Sequence, residues 1–292
     1  MKFGTIAIIG KPNVGKSTLM NYILGKKISI TSRKPQTTRH RILGIKTTDH
    51  VQVAYVDTPG LHQNYKQEMN RVMNRVAKSA LDEVDAVLFM IEAMRWDFQD
   101  AAVLKQLKTL KIPVILVVNK IDEIKNKAEL LPFIDNLSKQ MDFAKIFLIS
   151  AKTGLQVDDL QKTIETFLPH EGDFFPPEQL TDRSERFIAA EFVREKLMRS
   201  LGEELPYELT VTIDALEEDK KIVRIAAVIW VARDGQKAIV IGEAGRALKK
   251  VGTAARKSLE EYFDKKVLLK LWVKVKENWS DDARALKEFG IE

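Results

Sequence analysis

The chain has 292 residues, 45% of them hydrophobic and 30% charged, with 47 Lys and Arg against 41 Asp and Glu and a formal charge of +6, for a pI near 9.2. Such a composition suits a soluble globular chain long enough for two domains, each with its own core, and argues against disorder. Without cysteine, disulfides and thiolate metal sites are excluded; His40, His50, His62 and His170 show no metal-ligand spacing, and no apolar run is long enough to span a bilayer.

Up to about residue 169, short apolar runs at 6–9, 51–56, 84–91, 113–118 and 145–149 alternate with amphipathic stretches of helix length. That is the pattern of βαβ units and a mostly parallel sheet. Residues 51–56 follow 41–48 across the polar turn Thr48-Asp49-His50, which predicts a hairpin and places 51–56 at an antiparallel edge.

The first run leads into Gly10-Lys11-Pro12-Asn13-Val14-Gly15-Lys16-Ser17-Thr18, a G-x-x-x-x-G-K-[ST] phosphate loop between a predicted strand and helix. Backbone N–H groups of residues 13–17 can wrap a β-phosphate at the positive end of the helix. Lys16 is expected to reach the β and γ phosphates, and the Ser17 hydroxyl to ligate Mg²⁺. Next comes the polar stretch Lys34-Pro-Gln-Thr37-Thr38-Arg39. Thr38 is the expected second Mg²⁺ hydroxyl, with Thr37 the alternative, in a segment that a γ-phosphate can order.

Asp57-Thr58-Pro59-Gly60 ends the run 51–56. There a carboxylate can hold Mg²⁺ through water while the Gly60 N–H turns to the γ-phosphate. Asn119-Lys120-Ile121-Asp122 ends the run 113–118 and predicts the base. The Asp122 carboxylate can accept from guanine N1–H and the 2-amino group, whereas adenine would leave the charge unpaired at a cost of a few kcal/mol. Ser150-Ala151-Lys152 follows the next strand and is expected to offer the Ala151 N–H to guanine O6. The nucleotide is therefore expected to be GTP or GDP with Mg²⁺.

Residues 168–183 change character, with Pro169, Gly172, Pro176 and Pro177 breaking any period. The domains are drawn at 1–170, a linker at 171–182, and 183–292. Asp182 and Glu185 have capping-box spacing for a helix that runs to Leu201 and stops at Gly202. Strand-like runs at 207–215 and 222–232, helical stretches over 239–263 and a strand at 267–275 follow. Trp230 and Trp272 lie on strands and read as core.

Val240-Ile241-Gly242-Glu243-Ala244-Gly245 within that order resembles a type II KH domain, whose glycine pair lets the backbone approach four nucleotides of single-stranded RNA. Over 246–276 ten basic residues face three acidic ones. The expected RNA contacts are Ile241, Gly242, Gly245, Arg246, Lys249, Lys250, Arg256 and Lys257. Glu243 departs from this pattern, since a carboxylate there should repel a phosphate.

These motifs in this order, with Lys-Pro-Asn in the loop and Thr-Thr-Arg-His-Arg after it, closely resemble the bacterial Era GTPases over nearly the whole chain. The resemblance implies an α/β P-loop GTPase domain followed by an α+β KH domain. It further implies a slow, monomeric GTPase that binds 16S rRNA near its 3′ end, assists assembly of the small (30S) subunit, and works in the cytoplasm with peripheral inner-membrane association as an additional location. Leu61 stands where many GTPases place a water-orienting glutamine, which implies slow hydrolysis. In similar GTPases with Pro-Asn in the loop a K⁺ ion assists near the phosphates, so Asn13 either helps hold K⁺ or only shapes the turn. Two rivals remain at this point: a phosphotransferase acting on a small acceptor, and a membrane-associated regulator of cell cycle or metabolism whose basic domain binds anionic lipid.

Overall fold

A computed structural model describes residues 1–32, 34, 37–60, 68–81, 84–172, 174–201 and 208–291. Leu61, Gly202 and Tyr207, together with Pro35 and Gln36 of the polar stretch, lie outside the described residues. The chain divides into two compact units. The first holds Met1–Ile28, Met73–Asp182 and the described part of Thr38–Gln63; the second holds the described parts of Ser29–Thr37, Asn64–Val72 and Arg183–Glu292.

In chain order the first unit contains β1 (Lys2–Ile9), α1 (Lys16–Leu24), β2 (Ile42–Thr47) and β3 (Val51–Asp57). The helix α2 (Glu68–Ser79), whose first turn belongs to the second unit, follows, then β4 (Ala86–Glu92), α3 (Phe98–Leu107), β5 (Val114–Asn119), α4 (Leu130–Ser138), β6 (Lys145–Leu148), α5 (Val157–Glu165) and β7 (His170–Glu171). The sheet order is β2-β3-β1-β4-β5-β6, with β7 antiparallel to the start of β1. All neighbours from β3 to β6 are parallel. β3, β4 and β5 are buried at every position, as expected of unbroken apolar runs in a sheet covered on both faces.

The hairpin forms, but its other arm is the edge: β2 pairs antiparallel with β3, while β3 lies inside the sheet against β1. The apolar run alone could not distinguish an edge from the next position in. On one face Phe89 and Leu116 of the sheet share a core with Val103 and Leu107 of α3 and Leu137 of α4.

Residues 168–182 are tied to this unit. Gln52 Oε1 accepts from Phe175 N at 2.9 Å, and Phe174 stacks on Phe3 at 4.0 Å. Asp182 does not cap the next helix. Its Oδ1 accepts from Leu43 N at 3.3 Å, and the N-cap is Ser184, whose hydroxyl accepts from Phe187 N. A serine in extended backbone one residue before the helix outcompetes an aspartate that the sheet edge engages.

The second unit runs α6 (Glu185–Ser200), β8 (Leu209–Glu218), β9 (Ile222–Val231), α7 (Asp234–Ile241), α8 (Arg246–Phe263), β10 (Lys266–Val275) and α9 (Ala283–Glu288). Its sheet order is β10-β9-β8, with β10 parallel and β8 antiparallel to β9. Inward residues Leu269, Leu271 and Val273 of β10 meet Val193, Leu197, Val251 and Ala255 of α6 and α8 in one core. The outward residues alternate with them.

Trp272 corrects the sequence expectation: it lies on the outer face and is 47% exposed. Trp230 is half-buried; its indole donates to Thr212 Oγ1 at 2.9 Å, and its ring packs on Phe289. The strand pattern places both rings on one face, and only the C-terminal segment around α9 determines which is covered.

Candidate functional site

The nucleotide motifs converge at the C-terminal ends of the parallel strands, where α/β sheets bind ligands. Gly15, at φ 107°, leads into α1, and Asn13 takes a left-handed φ of 68°, a conformation asparagine tolerates. Lys16 is 6% exposed and donates to Gly10 O and Lys11 O, both at 3.0 Å. Burial lowers its pKa to about 8, against the opposing pull of Asp57.

Three oxygens meet beside it. Ser17 Oγ donates to Asp57 Oδ2 at 2.6 Å and lies 3.0 Å from Thr38 Oγ1. Thr37 is not part of this set, since its hydroxyl donates to Lys34 O. A hard all-oxygen set with one carboxylate suits Mg²⁺, which keeps waters and phosphate oxygens as its other ligands. No cluster of three or more His, Cys, Asp or Glu side chains able to hold a metal occurs among the described residues.

The turn after Asp57 touches the phosphate loop. A methyl group at Gly60 would sit 2.7 Å from the Pro12 ring, so only glycine allows this approach. The Thr58 hydroxyl turns inward to Ile8 O at 3.1 Å, and Pro59 sits between it and Gly60.

Asn119 acts as a strut. Its Nδ2 donates to Val14 O at 2.7 Å, and its Oδ1 accepts from Ala151 N at 2.9 Å. The Ala151 N–H, expected at guanine O6, is therefore committed to Asn119. Lys120, at φ 66°, starts a short 3-10 turn and pairs with Glu92 at 2.6 Å. Ile121 is buried beneath the turn, leaving Asp122 exposed on it. Ser150 Oγ accepts from Thr153 N at 3.2 Å, closing the loop that carries exposed Lys152.

Lys11 sits in the phosphate loop, yet its ammonium reaches Asp97 Oδ2 at 2.7 Å and Asp100 Oδ2 at 2.6 Å, away from the other nucleotide motifs. These two carboxylates form the capping box of α3, a D-x-x-D signal that the sequence reading passed over. Burial alone would lower the Lys11 pKa, but Asp100 and Asp97 outweigh it and hold the ammonium above its ordinary value. Asp100 is fully buried. Lys11→Met should therefore strand a buried charge and cost about 3 kcal/mol, read as a lower urea midpoint at unchanged slope; an unchanged midpoint would refute the anchor.

In the second unit α7 and α8 meet at the glycine pair. Gly242 adopts φ 70°, ψ 175°, a region open essentially to glycine, and Ala247 would lie 2.6 Å from any Cβ there. Gly245 N donates back to Gly242 O at 3.1 Å. Glu243 ion-pairs with Arg246, so the carboxylate expected to repel phosphate is neutralised by its neighbour. Gly245, Lys249, Gly252, Arg256 and Leu271 line a groove between α8 and β10. Lys250 and Lys257 flank Arg246 and Lys249 along α8, and Ile241 ends α7.

A phosphate loop at the C-terminal rim of a parallel sheet, with N-K-x-D on a neighbouring turn, defines the P-loop GTPases, here followed by a KH unit. Residues 5–120 match the family model described as 50S ribosome-binding GTPase, and residues 204–280 match that of the KH domain. GTPase Era of Coxiella burnetii (strain Dugway 5J108-111) is 56% identical over 289 residues, 99% of this chain and 98% of the relative. GTPase Era of Ectopseudomonas mendocina is 52% identical over 287 residues, 98% and 96% of the two chains. A crystal structure of Era in complex with MgGDPNP and nucleotides 1506–1542 of 16S ribosomal RNA superposes with TM-score 0.96 at 40% identity, covering 100% of this chain and 99% of that one. The same values hold for a point variant of Aquifex aeolicus Era bound to GDP·AlF4⁻. The chain belongs to the GTPase Era family and is a GTPase.

Proposed function

We propose that this GTPase is a switch that grips the 3′ end of 16S rRNA in its KH unit and assists maturation of the small ribosomal subunit. The observation that carries the reading is full-length similarity to an Era that binds MgGDPNP and nucleotides 1506–1542 of 16S rRNA together. A G-x-x-G turn with a basic helix behind it supplies matching chemistry in this chain.

Within the nucleotide site, the backbone of Gly10–Thr18 and Lys16 hold the phosphates, and Ser17, Thr38 and Asp57 hold Mg²⁺. When bound, the ion neutralises charge on the β and γ phosphates. Gly60 offers its N–H to the γ-phosphate. Asp122 selects guanine, while Asn119 and Ala151 brace the loops around the base. Leu61 has no polar group to orient water, which makes hydrolysis slow. Asn13, exposed and left-handed, is a candidate K⁺ ligand; equal turnover in Na⁺ and K⁺ would remove it.

In this reading the GTPase domain is 1–170 and the KH domain 183–292, joined through 171–182, although the described part of 171–182 packs within the first compact unit. The protein works as a cytoplasmic monomer, and its basic KH surface suits peripheral contact with anionic membrane. No helix among the described residues is long and apolar enough to cross a membrane.

Coupling between nucleotide and RNA has a physical route. The described part of Ser29–Thr37 belongs to the second unit, where α6 holds Thr31 and Thr37. Glu195 Oε1 accepts from Thr31 N at 3.0 Å, Arg199 Nη2 donates to Thr31 O at 2.7 Å, and Arg194 donates to Thr37 O. The next residue, Thr38, carries the Mg²⁺-facing hydroxyl, so ordering it by the γ-phosphate pulls on the segment α6 holds. RNA affinity should differ at least fivefold between GDP and a GTP analogue, a coupling of about 1 kcal/mol. Arg199→Ala should shrink that difference. Equal affinities in the wild type would exclude coupling.

A further inference from the structure

β10 is the edge strand of the KH sheet, and its two faces differ. Leu269 and Leu271 turn inward to the groove beside α8. Lys266, Leu268, Lys270, Trp272 and Lys274 alternate with them, all exposed. Leu268 is 45% and Trp272 47% exposed, two large apolar side chains on the outer face with Lys270 between them. The C-terminal segment covers only one end of this face, where Phe289 packs on Trp230 and Lys276 lies over Phe289 at 4.9 Å.

The cations along this stripe are available. Lys266 and Lys270 form no ion pair among the described residues, and Lys274 lies over the Trp230 ring at 5.5 Å. On the adjoining strands the charges flanking the stripe are largely paired among themselves. Arg224, paired in register with Leu268, is bridged to Asp219, and Glu217 is on β8. The basic half of the face is thus the half that borders the groove.

We propose that this outer stripe is a second RNA-contact surface, where Trp272 stacks a base and Lys266, Lys270 and Lys274 meet phosphates of a strand leaving the groove around the β10 edge. An exposed ring between lysines spaced four residues apart is the combination that binds single strands without reading sequence. The row is roughly 26 Å long at about 3.3 Å per residue. A G-x-x-G groove holds four nucleotides, so any longer RNA must continue across neighbouring surface. This inference rests on the RNA-binding reading above and extends it to the partner's length.

The test is fluorescence anisotropy on the full chain with two RNAs from the 16S 3′ end, one trimmed to the groove's length and one extending well beyond it. Trp272→Ala should weaken the long RNA roughly tenfold, with Trp272→Phe restoring most of the loss. Replacing Lys266, Lys270 and Lys274 together by Ala should reduce the log–log salt slope by about 2. Neither variant should alter binding of the short RNA. All four residues are exposed, and an unchanged Tm would confirm that the variants fold. Unchanged long-RNA binding in both variants overturns the proposal while leaving the RNA-binding reading intact. No binding of either RNA by the wild type sinks both. Loss of binding to anionic phosphatidylglycerol vesicles, with RNA binding untouched, would reassign the stripe to membrane and overturn it as well.

Discussion

Asp122→Asn should convert the site from guanine to xanthine nucleotides. Asp122 is an exposed carboxylate held on a 3-10 turn by buried Ile121, and a carboxylate only accepts hydrogen bonds. Guanine presents two donors to it, N1–H and the 2-amino group. An asparagine keeps one acceptor but turns the other position into a donor, which faces the guanine amino group donor to donor. Two charge-assisted bonds at about 1.5–3 kcal/mol each are then weakened or lost, so GTP affinity should fall about a hundredfold to a thousandfold. Xanthine carries a carbonyl where guanine has the amino group and fits the amide. Titration with fluorescent GTP and XTP checks this: XTP should bind the variant more tightly than GTP does. If GTP affinity drops without any gain for XTP, Asp122 supports the loop rather than reading the base.

The second large effect belongs to Lys16. Lys16→Met should lower GTP affinity by about two orders of magnitude, because it removes a charged donor to phosphate oxygens from a buried position. The wild type should also show a pH dependence that the variant lacks. The native pKa of about 8 lies below the ordinary 10.5 because burial penalises the ammonium. A neighbouring polyphosphate favours the charged form and raises the pKa again. Below pH 8 the lysine is already protonated, and affinity should be insensitive to this group. Above it, binding must take up a proton, and affinity should fall by up to tenfold per pH unit. The same sign appears in folding: the unfolded chain holds more protons between pH 8 and 10.5, so the stability penalty of the buried ammonium is relieved as pH rises through that window. A binding profile that is flat to about pH 9.5 would mean Lys16 stays fully charged without nucleotide.

The chemistry of this protein was largely legible in its sequence because short-range rules govern it. A phosphate loop needs Gly15, Lys16 and Ser17 at fixed spacing, since one turn of backbone must wrap a phosphate. A base-reading corner needs Asp122 three residues after Asn119, since a single turn carries both. Unbroken apolar runs set the parallel sheet, and the order of elements after Ser184 set the KH unit.

What only the tertiary structure decided are long-range pairings, which no local pattern encodes. Lys11 is an ordinary loop lysine until α3 brings Asp97 and Asp100 to it, 86 and 89 residues away. Asn119 reads as a base contact, yet the closeness of three loops makes it the strut between Val14 and Ala151. The sequence favours Thr38 with Thr37 as the alternative, and backbone direction sets Thr38 beside Ser17 while the Thr37 hydroxyl turns to Lys34 O. Trp230 and Trp272 share one strand-face signal, and their fates diverge because α9 reaches one end of the sheet and stops. Local spacing was enough to identify the nucleotide, whereas packing between distant segments determined which side chains brace the site and which remain open to a partner.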